Sequence, residues 1–226
     1  MCRRALMSVT VLALVIAAAA GPASAGSSEP RQKRDKVLLR DSLRKASAAF
    51  PESSSAEDSL RFEHHKMRVV QKVQGAPAFI EPAFDLSPDQ ATNVSVQVDV
   101  ARNIPSTGVG VYCRRSNTGR YIFWLGRREW GIFKGSSSGL TELLGGKAAG
   151  AKPGKKTNEV RGECSARPDQ SVELRMFVNG KEAGTQRDTT SPSPAGAVGL
   201  YIESTPTERG DASFSDLVIK QLRASV

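Results

Sequence analysis

Residues 94–100 read Val-Ser-Val-Gln-Val-Asp-Val, four valines alternating with three polar residues. Successive side chains on a strand point to opposite faces. This spacing therefore puts Val94, Val96, Val98 and Val100 on a buried face and Ser95, Gln97 and Asp99 on the other. Moving outward, the same period of two recurs. Val109, Val111 and Cys113 share a face, with Gly108, Gly110 and Tyr112 opposite. Residues 121–125 and 130–133 are short apolar runs. Val172, Leu174, Met176 and Val178 then alternate with Glu173, Arg175 and Phe177. That last run enters Asn179-Gly180, a pair suited to the left-handed central positions of a type I′ hairpin. Residues 197–202 and 212–222 complete the series. Turn residues at 117–119, 135–139, 153–154, 192–196 and 209–210 separate the runs, a rhythm that predicts an all-β sandwich or barrel. Helical patterning is confined to residues 41–50, where one or two turns are expected before Pro51 stops them. No internal repeat of 20–50 residues is evident, which excludes a propeller or solenoid.

Upstream of the strands, residues 1–25 have the form of a secretory signal peptide. Arg3 and Arg4 precede the apolar stretch 9–20, and Ala23-Ser24-Ala25 supplies the small-x-small cleavage pattern, so Gly26 is the expected mature start. The stretch is shorter than the roughly 20 apolar residues that a bilayer-spanning helix needs, and no membrane span is expected after cleavage. Residues 26–35 are polar and charged and read as a flexible tail, leaving 36–226 as one β-sandwich domain. Removing Arg3 and Arg4, with no acid lost, lowers the formal net charge from +9 to +7. Removing Cys2 leaves Cys113 and Cys164. In an oxidising, extracellular compartment two cysteines most simply form one disulfide; two free thiols or half of a metal site are the alternatives.

The order of short motifs over about four-fifths of the chain resembles the concanavalin A-like lectin/glucanase superfamily. More narrowly, it is similar to secreted domains related to the 3-keto-disaccharide hydrolase family. The residues carrying the likeness are 108–114 (GVGVYCR), 119–124 (GRYIFW), 130–133 (WGIF), 158–164 (NEVRGEC), 172–180 (VELRMFVNG), 196–200 (GAVGL) and 214–218 (FSDLV). The resemblance implies a two-sheet antiparallel jelly-roll sandwich with its first and last strands paired, and cysteines on strands that meet in space. It leaves function open, because such folds host lectins, hydrolases and adhesion modules.

The chemistry legible in the residues is mostly negative. Glycoside hydrolysis needs two carboxylates about 5–10 Å apart, and Asp99, Glu142, Glu159, Glu163 and Glu173 show no acid-x-acid clustering. His64 and His65, adjacent on an expected strand, would face opposite ways and could not share an ion. Asp85 and Asp89 alone are thin for calcium. No Gly-x-Ser-x-Gly elbow occurs. No catalytic residue, metal ligand or cofactor is therefore expected.

Positive charge gathers at Arg114, Arg115, Arg120, Arg127 and Arg128, and again at Lys147, Lys152, Lys155, Lys156 and Arg161. An anion-binding face and a merely solubilising surface are both compatible with it. Few aromatics interleave with the charge, which argues against nucleic acid. Sugar rings stack on aromatic faces, which makes Tyr121, Trp124 and Trp130, with Arg120, Arg127 and Arg128, the candidate ligand-binding residues. Core packing is the competing role for each aromatic, and Tyr121 and Trp124 differ in parity, so at most one of them faces outward. The expectation is a secreted, non-catalytic binding module for a glycan or an anionic cell-envelope polymer. A hydrolase of modified disaccharides or glycosides, or a structural or protein-adhesion domain, are the alternatives.

Overall fold

A computed structural model describes residues 35–223. The signal segment, its cleavage position at Ala25 and Gly26, and nearly all of the tail lie outside the described residues. In chain order the elements are β1 (Lys36–Asp41), β2 (Ser53–Ser54), β3 (Asp58–Glu63), β4 (Lys66–Gln71), β5 (Pro77–Ile80), α1 (Pro88–Thr92), β6 (Asn93–Arg102), β7 (Gly108–Arg115), β8 (Arg120–Leu125), β9 (Glu129–Ser136), β10 (Gly139–Lys147), β11 (Asn158–Ala166), β12 (Val172–Val178), β13 (Lys181–Asp188), β14 (Ala197–Glu203) and β15 (Gly210–Gln221). Every pairing is antiparallel. The larger sheet runs β13-β12-β11-β6-β15-β4-β3-β2, with β1 also on β15, and the smaller runs β10-β9-β8-β7-β14-β5.

The expected sandwich is present, and its centre is the valine strand. Val94, Val96, Val98 and Val100 of β6 are buried together with Val109, Val111 and Cys113 of β7 and Tyr121, Phe123 and Leu125 of β8. Cys113 on the smaller sheet and Cys164 on the larger are disulfide-bonded across this core, with Cα atoms 6.6 Å apart. That removes the free-thiol and metal alternatives. β15 is long enough to serve two neighbours on one edge. Its first half pairs with β4 and its second with β1, and a register shift between Ser215 and Val218 separates the halves, with Asp216 at φ 53°. First and last strands are thus paired.

The hairpin at Asn179-Gly180 forms as expected, with φ of 51° and 76°. Two local expectations are corrected. His64 and His65 are not strand residues but the two turn residues between β3 and β4, at φ 50° and 58°. No helix forms over residues 41–50. Asp41 ends β1, and its carboxylate accepts bonds from the Leu43 N–H (2.8 Å) and the Ser47 hydroxyl (2.7 Å), so side-chain bonding replaces the helical ladder. The one short helix among the described residues is instead α1. There Ser87 and Gln90 form a reciprocal capping box ahead of Pro88.

The disulfide spans 51 positions, and constraining so long a loop in the unfolded chain is worth roughly 4 kcal/mol by chain entropy, often less in practice. Replacing both Cys113 and Cys164 by Ser is expected to lower the unfolding free energy by about 2–4 kcal/mol, read from urea denaturation. An unchanged midpoint would contradict this role of the bond.

Candidate functional site

On the smaller sheet, the residues of parity opposite to the core form a second apolar surface. Tyr112 of β7 lies opposite Ile122 of β8, which lies opposite Phe133 of β9, while Tyr201 of β14 lies opposite Phe79 of β5. Tyr112, Ile122 and Tyr201 are buried, and Phe79, Trp124 and Phe133 pack half-buried around them. Phe79 meets Tyr112 edge-on at 5.3 Å between centroids and Tyr201 at 5.3 Å, and Trp124 meets Phe133 perpendicularly at 6.0 Å. The Arg115 and Arg120 guanidiniums stand 4.9 and 4.8 Å from the Phe79 ring centre. Arg115 is also ion-paired with Glu81, whereas Arg120 forms no ion pair among the described residues.

Trp124 lies down on this surface because two glycines permit it. A Cβ at Gly108 would collide with the indole at Nε1, and one at Gly126 would collide with its six-membered ring. Three donors of this surface, Trp124 Nε1, Tyr112 OH and Arg120 Nε, are buried without a well-formed hydrogen bond among the described residues, although the Glu203 carboxyl lies close to Trp124 and Glu81 close to Tyr112. An unmade bond at a buried polar group costs about 1–3 kcal/mol, so three on one face mark it as unusual. Glu203 of β14 stands at the margin of the rings. Burial raises its pKa, and the neighbouring Tyr201 and Trp124 offset this only in part. Burial and the adjacent Glu203 likewise push the Tyr201 phenol well up.

The six residues expected to bind ligand do not converge. Trp124 and Arg120 share the outer surface. Tyr121 points inward and is fully buried, and Trp130, 8% exposed, belongs to the same core. Arg127 and Arg128 lie exposed in the β8–β9 turn. The arginine cluster of the sequence is likewise dispersed, because Arg114 turns into the interior. It donates to the carbonyls of Ser193 (2.9 Å) and Thr92 (2.7 Å). Phe79, Tyr112, Tyr201 and Glu203 were not singled out by sequence reasoning. The signal that could have found Tyr112 is the Gly108-x-Gly110-x-Tyr112 face, small residues beside an aromatic where a solvated strand would carry polar groups.

A second concavity of about 590 Å³ opens at the other end of β8 and β9, lined by Thr118, Lys134, Ser136, Thr141, Thr190 and Ser191 among others. Its one amine is already committed. Lys134 Nζ lies 2.8 Å from Asp188 and donates to the carbonyls of Thr190 and Ser191. Asp188 also accepts from Tyr121 OH at 2.7 Å, and that hydroxyl accepts from the Ser193 N–H at 2.9 Å. Burial pushes Asp188 up, but the bonds from Lys134, Tyr121 and the Thr190 N–H outweigh it and hold the carboxyl below its ordinary value. The cluster ties β13 of one sheet to β8 and β9 of the other. It contains no free base.

On the outer surface Glu203 and Glu81 stand apart. Glu203 lies opposite Pro77, and Glu81 is four residues further along that chain. At about 3.3 Å per residue their backbones are about 13 Å apart, and Glu81 is engaged by Arg115. Asp99 does face Glu159 across the β6–β11 pairing, a neighbour invisible in the linear sequence. Burial, with Asp216 and Glu159 nearby, raises its pKa. Among the described residues no group of three or more His, Cys, Asp or Glu is placed to hold a metal ion. No helix among them is long and apolar enough to cross a membrane.

The fold is a two-sheet antiparallel β-sandwich. No known family and no curated protein matches the chain in sequence. Solved structures do match in fold. A protein of unknown function with a galectin-like fold from Bacillus subtilis superposes with a TM-score of 0.64 at 12% identity, covering 85% of this chain and 99% of that one. The alginate lyase Aly36B, solved as a double mutant in complex with alginate tetrasaccharide, gives 0.53 at 12% identity over 85% of this chain and 98% of that one. A xylan β-1,4-xylosidase from Bacillus halodurans C-125 gives 0.54 at 12% identity over 85% of this chain but 41% of its own.

Glu203 gives a pH test of the outer surface. Its pKa is raised in the folded state, so its contribution is full below the unfolded value of about 4.3 and is lost as pH rises through the folded value. Relative to Glu203→Gln, the wild-type protein is expected to lose stability as pH rises above about 4. Parallel pH profiles of the two melting temperatures would contradict the burial of this carboxyl.

Proposed function

We propose that this chain is an extracellular, non-catalytic glycan-binding module whose sugar site is the outer surface of the smaller sheet. Trp124 is the stacking platform and Arg120 the polar partner. The observation that carries the reading is an indole laid flat on Gly108 and Gly126, half-buried on the outer face of the sheet that also carries Arg120. A pyranose offers an apolar face to the ring and hydroxyl acceptors to the Arg120 guanidinium. The inter-sheet disulfide is consistent with an oxidising location. A hydrolase of modified disaccharides, which the sequence resemblance suggested, would need a second acid near Glu203, and its nearest strand neighbour on this surface, Tyr201, is a phenol.

The test is binding of residues 26–226 to a panel of plant, algal and bacterial cell-wall polysaccharides. Trp124→Ala should weaken the best binder by at least about tenfold, or roughly 1.4 kcal/mol, with folding retained. Trp130→Ala should instead destabilise the fold by about 3–5 kcal/mol, as a core truncation. No binding across the panel, or binding indifferent to Trp124, would refute the reading. Turnover of a panel member would favour the hydrolase.

A further inference from the structure

Arg102, the last residue of β6, continues the parity of Val94, Val96, Val98 and Val100, so its side chain enters between the sheets. The residue is 2% exposed, and neither Nη1 nor Nη2 has a hydrogen-bond partner among the described residues. Burial, reinforced by the charge of Arg127, lowers its pKa. A guanidinium does not lose its proton in proteins, so it cannot escape burial by neutralising. An isolated buried charge is costly unless something of opposite charge meets it. Arg114, similarly buried, has two backbone carbonyls. Arg102 has none.

Its position explains what could reach it. β11 begins at Asn158, which pairs with Val100, so the neighbouring strand stops two residues short and Arg102 lies at the lip of the sandwich. The loop before β11 is held at this lip by the Asn158 side chain, which accepts from the Lys152 N–H (2.7 Å) and donates to the carbonyls of Lys152 (3.0 Å) and Lys156 (3.2 Å). The Ala148 N–H donates to the Arg128 carbonyl at 2.9 Å, which joins that loop to the β8–β9 turn. The two basic clusters of the sequence therefore meet here in part. Arg127, Arg128, Lys147, Lys155 and Lys156 are all exposed at this end, and none forms an ion pair among the described residues. The turn's one acid, Glu129, is opposite Lys147 in register.

We propose that this end of the sandwich is an oxyanion site, in which Arg102 and Arg127 take a carboxylate, sulfate or phosphate group carried by an acidic polysaccharide. The guanidinium fork of Arg102 supplies two parallel donors, a geometry matched to such groups. The exposed cations around it raise the local concentration of a polyanion. The site is separate from the aromatic surface and stands whether or not that surface binds sugar.

The test is thermal unfolding of the purified protein in phosphate, sulfate or polygalacturonate, each against sodium chloride at equal ionic strength. Wild type is expected to melt higher as each oxyanion is added. Arg102→Met should weaken the half-saturating concentration by about tenfold or more, Arg127→Ala several-fold, and Arg44→Ala, an exposed arginine in the β1–β2 loop, not at all. If Arg102→Met does not fold, Arg127→Ala decides, since that side chain is exposed and supports no core packing. Equal responses in wild type and Arg127→Ala, or in wild type and Arg102→Met, overturn the site. A response to phosphate and sulfate without one to polygalacturonate or a sulfated polysaccharide overturns the polymer as its source.

Discussion

The smaller sheet is apolar on both faces, and much of the molecule follows from how each face is covered. An antiparallel sheet commonly packs one face and solvates the other. Here β7 and β8 are nearly continuous apolar runs, and only the inner face has a second sheet against it. The outer face covers itself. Phe79, Trp124 and Phe133 close over Tyr112, Ile122 and Tyr201, and the guanidiniums of Arg115 and Arg120 lie over Phe79. Rings that lie down over glycine leave their own N–H and O–H groups enclosed. The unpartnered donors thus follow from this self-covering.

A single extra residue decides which arginine takes part in that cover. Between the pairs Ala197–Arg115 and Gly199–Tyr112, β7 has one residue more than β14. Arg114, at φ 55°, absorbs the excess. Such a bulge re-aims the side chains beyond it. Arg114 turns inward to backbone carbonyls and Arg115 takes the outer position beside Glu81 and Phe79. Both terminal nitrogens of Arg114 find acceptors because the segments bearing Thr92 and Ser193 present their carbonyls there. At the opposite end of the sandwich β6 brings Arg102 inward with no such backbone opposite it. The two buried arginines differ in what surrounds them, not in their own chemistry.

This is also where sequence reasoning reached its limit. Strict alternation in β6 and β12 made the strands, the core face and the Asn179-Gly180 hairpin legible, and the cysteine count left disulfide pairing as the simplest reading. Parity alone established that Tyr121 and Trp124 oppose each other. It could not say which of them faced out, since both neighbouring runs lack polar residues. Trp130 was ambiguous for the same reason, as Trp130-Gly-Ile-Phe133 has no polar member to mark a solvated side. Parity counted through Arg114 fails at the bulge, and His64-His65 broke the strand assumption because left-handed turn residues need not be glycine or asparagine. The Asp99–Glu159 juxtaposition and the gathering of two basic segments at one lip depend on pairings between distant strands. No local pattern encodes them.

The aromatic surface and the basic lip adjoin at one turn. Gly126 seats the Trp124 ring, and its N–H donates to the Glu129 carbonyl at 2.9 Å, closing the turn that carries Arg127 and Arg128. A side chain at position 126 would therefore disturb both surfaces at once, lifting the indole and reshaping the turn. The same short hairpin connection sets the height of the ring above the sheet and the direction of the cations beyond its end. The indole and the exposed cations are thus neighbours joined by that single turn.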